Sequence, residues 1–251
     1  MILLLATLAL SAPTMKTPWT DLVDRKLPHA EYPRPTMVRK EWLNLNGPWD
    51  YAIRPAGEDA PASFDGKILV PFPVESQLSG VQKPLKPDQT LWYERTITLP
   101  ESWKGQRVLL HFGAVDHNAE VFVNGKSVAK HVGGYDPFSV DVTDRLAKGK
   151  QTGTDSAGQP RGKQVLNPGG IFYTPTSGIW QTVWMEPVPK TSIAAYRAVP
   201  DLKAGGVRVT VDAPKGTVVE AQVRLKGKTV AKAGLFANAS HRMPVPHANL
   251  L

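Results

Sequence analysis

The sequence contains no cysteine. That excludes a disulfide scaffold, thiolate zinc sites, iron–sulfur clusters and a cysteine nucleophile together. Long apolar runs are missing as well. The stretch 2–10 is apolar apart from Thr7 but has only nine residues, against about 20 for a membrane-spanning helix. No segment repeats its apolar residues with the period of a useful helix, so a phosphate-cradling loop would have no helix to open onto. Gly-x-Ser-x-Gly, the nucleophile elbow, is absent. The six histidines include no pair at i, i+2 or i, i+4, which argues against a metal site.

What the sequence has is punctuation and alternation. Its 251 residues include 21 Gly and 23 Pro, which is turn-rich but short of the roughly 25–30% that marks low complexity. Between Asn46 and Pro189, short alternating runs are broken by Gly, Pro, Asn and Asp, the signature of an all-β chain. Strands are expected at 49–54, 68–70, 91–99, 107–112, 120–123, 127–132, 138–142 and 180–186. Asn124-Gly125 supplies both positive-φ residues of a type I′ hairpin turn. Residues 141–146 read as a strand end running into one short helical turn, and 148–163 as an exposed polar loop. About eight strands in some 140 residues suit a jelly-roll sandwich. A second all-β segment starts near Thr191, with about three strands, fewer than an immunoglobulin-like sandwich of roughly 100 residues needs.

The formal charge of +8 raises the question of a nucleic-acid partner. Residues 202–251 hold eight Lys/Arg and two acids, but the basic residues alternate with apolar ones, as in Val207-Arg208-Val209-Thr210-Val211. That is a strand with one wet face, and no aromatic residues interleave as stacking platforms. No nucleic-acid partner is expected. The apolar stretch 2–10, followed by Ser11-Ala12-Pro13, matches the hydrophobic region and cleavage site of a signal peptide. It lacks a preceding Lys or Arg, and a buried strand is the alternative. The expectation is a secreted or periplasmic protein with no membrane span.

Five carboxylates, Asp116, Glu120, Asp136, Asp141 and Asp144, lie close in sequence. Asp at strand–turn junctions commonly bonds backbone N–H groups, so turn-holding is expected of them. Trp92, Tyr93, Trp180 and Trp184 offer flat faces for a sugar, though core packing is the expected role. Trp180 and Trp184 are four apart and are expected on one buried strand face. Asn238-Ala239-Ser240 fits an N-glycosylation acceptor, expected to be fortuitous.

A set of segments in fixed order gives the sequence a resemblance. They are Leu43-Asn44-Leu45-Asn46-Gly47-Pro48-Trp49, Ile68-Leu69-Val70-Pro71-Phe72-Pro73, Leu91-Trp92-Tyr93-Glu94-Arg95 and Phe112-Gly113-Ala114-Val115-Asp116. After 121–125 come Gly133-Gly134-Tyr135-Asp136-Pro137-Phe138 and Ser177-Gly178-Ile179-Trp180-Gln181-Thr182-Val183-Trp184. Over roughly 33–246 the chain resembles the N-terminal, non-catalytic region of glycoside hydrolase family 2, of the β-galactosidase and β-glucuronidase type. The resemblance implies a galactose-binding-like jelly roll over 16–190, after a signal peptide at 1–15. An incomplete immunoglobulin-like sandwich over 191–251 would follow. In that family a (β/α)₈ barrel carries both catalytic carboxylates, and a barrel needs about 250 further residues. The family's acid/base glutamate follows an asparagine, and no Asn-Glu dipeptide occurs here. No catalytic residue is therefore carried over, no cofactor is expected, and the chain reads as truncated before the barrel.

The resemblance also implies that loops 79–87 and 161–176 reach towards a sugar. Gln82, Lys83, Arg161 and Lys163 then become the substrate-binding candidates, since they have donors for a hydroxyl or a carboxylate. A strand that the family places ahead of Gln159 looks to be missing after Gln151, which would leave an open sheet edge. The expected partner is a glycan or glycoside. The alternative to an accessory region is a stand-alone carbohydrate-binding or structural module.

Overall fold

The computed structural model describes residues 16–146, 163–245 and the backbone of 152–155. The stretches 1–15 and 156–162, which include the expected signal peptide and Arg161, lie outside the described residues. Two compact units result. One takes the chain up to Pro35, Arg39–Ser102 and Val108–Glu186; the other takes Thr36–Val38, Trp103–Arg107 and the chain from Pro187 on. Among the described residues, no helix is long and apolar enough to cross a membrane.

The first unit is an all-β sandwich. Its strands are β1 (Leu43–Asn44), β2 (Gly47–Pro55), β3 (Gly66–Val70), β4 (Gln89–Glu94), β5 (Arg107–Phe112) and β6 (Val115–Asp116). They continue with β7 (Asn118–Val123), β8 (Lys126–Val132), β9 (Phe138–Asp141), β10 (Thr152–Asp155), β11 (Gly178–Ile179) and β12 (Val183–Val188). One sheet has the order β3-β2-β4-β10-β7-β8, the other β1-β12-β5-β9, and β11 pairs with β6. Alternation explains the layering. Tyr93 and Val121 are buried at 0% and 1%, while Glu94, Thr90 and Glu120 carry the polar positions around them. Trp49 and Tyr93 meet edge-on at 6.4 Å, and Phe112 stacks on Phe138 at 4.8 Å. Each such aromatic side chain contributes about 1.5–3 kcal/mol by leaving water.

Hydrogen bonds to distant parts of the chain hold the entry segment 43–49 in place. Asn46 is fully buried: its Nδ2 donates to Pro28 O and Thr182 Oγ1, and its Oδ1 accepts from Val183 N. Trp49 Nε1 and Arg95 Nη1 both donate to Leu45 O. Gly47 sits at φ +116°, and a Cβ there would come 2.6 Å from Lys26 O, so no other residue fits.

The expected hairpin is present: Asn124 (φ 55°) and Gly125 (φ 72°) join β7 to β8 with Val123 opposite Lys126. Residues 143–145 form the expected short helical turn, a 3-10 helix, with Thr143 N donating to Asp141 Oδ1. Three expectations for this unit need correction. The strand looked for after Gln151 is not missing. Thr152–Asp155 pairs on one side with β4 (Gly153 opposite Trp92) and on the other with β7 (Gly153 opposite Glu120). It has no apolar residue, so alternation cannot reveal it; two ladders and two β-branched threonines suffice. The strand expected at 91–99 ends at Glu94, after which Arg95 turns its guanidinium onto the carbonyls of Leu45 and Asn46. Trp180 and Trp184 do not share a strand face, because the chain leaves β11 after Ile179 and rejoins a ladder only at Val183.

The second unit has five strands where about three were expected: β13 (Ala195–Asp201), β14 (Gly206–Asp212), β15 (Val218–Leu225), β16 (Lys228–Phe236) and β17 (Ser240–Pro244). They form a β13-β14-β17 sheet and a β15–β16 hairpin closed by Lys226 and Gly227 at positive φ. Val209, Val211, Leu235 and Met243 are its core. Arg208, Arg224, Lys226, Lys228 and Lys232 stand on exposed positions, with Arg208 on Asp201 at 2.9 Å and Lys232 on Glu220 at 2.6 Å. Asn238 spends its amide on the backbone, donating to Ala213 O at 2.8 Å from a left-handed φ of 62°.

Candidate functional site

Three features of the first unit bear on function. The first is the loop region that the sequence singled out. Gln82, Lys83 and Lys163 are all exposed. Backbone bonds draw their loops together. Lys83 N donates to Val74 O, Val74 N to Ser177 O, and Tyr173 N to Lys163 O; Thr176 N is taken by Gln164 Oε1. Ser177 N donates to Glu75 Oε2 at 3.0 Å, so Glu75 staples the two loops. Burial pushes the Glu75 carboxyl up from its usual range, against the Ser177 hydrogen bond that lowers it. Glu75 also raises the Tyr93 hydroxyl, which burial already holds well above its ordinary value. Lys83 lies close enough to Asp65 to help lower its carboxyl, after the Ile53 N–H and Arg54. Beyond the staple, Leu166, Ile171, Phe172 and Tyr173 stand exposed on the second loop. Sequence reasoning missed Glu75; the signal was a single carboxylate inside a loop otherwise punctuated by prolines.

The second feature is a buried ionic cluster. Glu186, fully buried in β12, accepts at Oε1 from Arg34 Nη1 and Arg39 Nε, both at 2.9 Å, and at Oε2 from Tyr32 Oη at 2.8 Å. His111 Nε2 lies 3.1 Å from the same carboxylate, and His111 Nδ1 lies 2.6 Å from Ser139 Oγ. These partners assign the tautomer with the proton on Nε2, donated to Glu186. Trp184 stacks on His111 at 4.8 Å, with Arg34 over its ring at 5.3 Å from the centre. The Glu186 carboxyl is held at about 2 by hydrogen bonds and charges that outweigh its burial, His111 first among them. Tyr32 is raised to about 12, chiefly by burial and then by Glu186. Both carboxylate oxygens are engaged, so the cluster orders the fold and offers no exposed reactive atom.

The third feature is a groove of about 710 Å³ over the outer face of the six-stranded sheet. Trp92 and Phe122 meet at 5.8 Å on its floor, with loop residues Glu58 and Asp59 at its rim and Glu120 and Lys130 along its side. Of the candidate aromatic platforms, Trp92, Tyr93 and Trp184 are at most 7% exposed and pack as expected. Trp180 is half-buried, donating its Nε1–H to Gly134 O and meeting Tyr135 edge-on.

Fold and features define an all-β protein of two units whose first unit is a two-sheet sandwich with polar and aromatic side chains gathered on loops and on one sheet face. Residues 42–157 match the family described as glycosyl hydrolases family 2, sugar binding domain. The chain is 32% identical over 126 residues to a β-glucuronidase of Paenibacillus borealis, covering 48% of this chain and 21% of that protein. It is likewise 32% identical over 105 residues to a β-galactosidase of Thermoanaerobacter pseudethanolicus, covering 41% and 14%. A solved Faecalibacterium prausnitzii β-glucuronidase superposes with a TM-score of 0.64 at 25% identity, covering 86% of this chain and 42% of that one. The chain thus spans less than half the length of these relatives.

Proposed function

We propose that this chain is the sugar-recognising accessory region of an exported family 2 glycoside hydrolase, which binds glycosides and does not hydrolyse them by itself. One observation carries the reading: residues 42–157, the sugar-binding match, build the six-stranded sheet of the sandwich and the loops around Lys83. Longer relatives are named β-glucuronidases and β-galactosidases, so the whole protein's reaction would be hydrolysis of a terminal β-glycosidic bond. On this reading Gln82, Lys83, Arg161 and Lys163 offer donors to that glycoside. The exposed Ile171, Phe172 and Tyr173 offer apolar surface beside them. The stretch 2–10 supports export.

Calorimetric titration with β-galactosides and β-glucuronides tests the reading, run beside turnover of nitrophenyl β-glycosides. Saturable heat without turnover is expected, with a weaker response from Lys83→Ala/Arg161→Ala. Turnover that follows the purified chain, or no heat with any glycoside, overturns it. Export is checked by N-terminal sequencing after expression of the full sequence in a bacterial host; an intact N-terminus in the cytoplasm would refute it.

A further inference from the structure

We propose that the groove on the outer face of the six-stranded sheet is a second glycan-binding site, separate from the loop cluster and suited to neutral rather than uronic sugars. The inference rests on the reading of this unit as a sugar-binding module and deepens it. The groove lies where β10 runs between β4 and β7. Opposed residues of antiparallel strands share a face, so Gly153 stands between Trp92 on β4 and Glu120 on β7. The Trp92 and Phe122 rings, from the strands on either side of β10, meet at 5.8 Å and floor the groove. Its volume, about 710 Å³, is within the range of ligand sites, about 300–1,000 Å³.

The lining has the chemistry of sugar recognition. Half-buried Phe122 presents an aromatic face on which the C–H side of a pyranose can stack, with Trp92 packed beneath it. The Trp92 indole N–H, buried in the lining, has no acceptor among the described residues. Glu120 is fixed in place, accepting from Ser127 Oγ at 2.6 Å and from Lys130 Nζ at 3.3 Å. With Glu58 and Asp59 at the rim, three carboxylates face one ammonium group. Ionised carboxylates are acceptors only, and they make strong hydrogen bonds to sugar hydroxyls. The same surplus of negative charge repels the carboxylate of a uronic acid.

The test is ligand-observed NMR and calorimetry on the full chain, with neutral β-linked gluco- and galacto-oligosaccharides against uronic-acid oligosaccharides of equal length. Neutral oligosaccharides are expected to bind at least tenfold tighter than uronic ones. Phe122→Ala should weaken neutral binding at least tenfold, and Glu120→Gln should weaken it as well. Lys83→Ala/Lys163→Ala should reduce only binding at the loops, so the component of neutral binding that Phe122→Ala removes persists in the lysine variant. Circular dichroism checks that each variant is folded, and Glu120→Gln stands as the test should Phe122→Ala not fold. Neutral binding that survives Phe122→Ala, or equal or tighter uronic binding, overturns the proposal. Binding lost with the lysine pair alone would place the sugar at the loops, overturning this site while leaving the module reading intact. No binding of either sugar class would overturn both.

Discussion

Arg34 Nη1 and Glu186 Oε1 lie 2.9 Å apart, bridging the segment before the sandwich to its central strand β12 across 152 positions of sequence. Glu186 is wholly inaccessible, and the side chains of Arg34 and Arg39 are only 22% and 18% exposed. Removing the carboxylate strands two guanidinium groups at a buried site. Loss of one member of a buried ion pair costs about 3–5 kcal/mol. Glu186→Ala is therefore expected to lower unfolding free energy by about 3 kcal/mol or more in urea. A loss below about 1 kcal/mol would show that the cluster does not order the fold.

The same cluster sets the acid response. The folded Glu186 pKa, about 2, lies below the 4.5 of the unfolded chain, so the unfolded state takes up a proton first as pH falls. Its contribution is fully present above about 4.5 and is lost between there and about 2. The size is about 3 kcal/mol at most, since each tenfold difference in proton affinity between the two states is worth about 1.4 kcal/mol. His111 acts in the same direction at higher pH. Burial first, and then the charge of Arg34, lowers its pKa despite Glu186, so the unfolded chain protonates first below about 6.5. Tyr32, Arg39 and Ser139 complete the groups facing the pair. Unfolding free energy measured from pH 8 to 3 should fall in two stages. His111→Gln should remove the upper stage, and Glu186→Gln the lower; a flat profile in the wild type would contradict both assignments.

The Gly178 backbone is shaped around Tyr93. Gly178 has φ +82°, and a Cβ there would lie 2.1 Å from Tyr93 Oη, the atom that accepts the Ile179 N–H at 3.1 Å. Gly178→Ala is expected to cost about 2–4 kcal/mol, from the positive φ and the overlap together. Tyr93→Phe removes the obstructing oxygen but leaves the Ile179 N–H buried without an acceptor, at about 1–3 kcal/mol. The double variant should be more stable than the sum of the two predicts, by about 1 kcal/mol, because one change relieves the other. Strict additivity in a denaturation cycle would show that the oxygen is not what excludes a side chain.

How much of this was legible in the sequence depended on how far each residue's partners lie from it. Asn124-Gly125 disclosed its hairpin because a type I′ turn is decided by two adjacent residues. Val183–Val188 was readable as a strand, but nothing local showed that its one carboxylate would be buried, since Arg34, Arg39 and His111 lie 75 or more positions away. Glu75 was missed for the same reason: its partner Ser177 is 102 positions off. Gln82, Lys83 and Lys163 were chosen for their donors, and backbone bonds through Val74 and Ser177 do bring their loops together. The groove was hidden because its aromatic pair, Trp92 and Phe122, comes from strands on either side of a segment whose composition is that of a loop.

That strand supplies the last prediction. Thr152–Asp155 is flanked by β4 and β7, so its four residues hold the halves of the six-stranded sheet together through ladders on both sides. Proline has no N–H to give and is excluded from central strands. If the segment is central, Thr154→Pro should cost about 3 kcal/mol or more and loosen β7 and β8 from β4. Hydrogen exchange reads this directly: amides of 119–123 and 129–132 should lose protection, while those of β2 and β3, on the far side of β4, keep theirs. The contrast with an exposed loop is sharp, because Thr154→Pro in a loop would leave every one of those amides protected and the unfolding midpoint unmoved. Loss confined to β7 and β8 would place Thr152–Asp155 inside the sheet by its energetic effect as well as by its pairing.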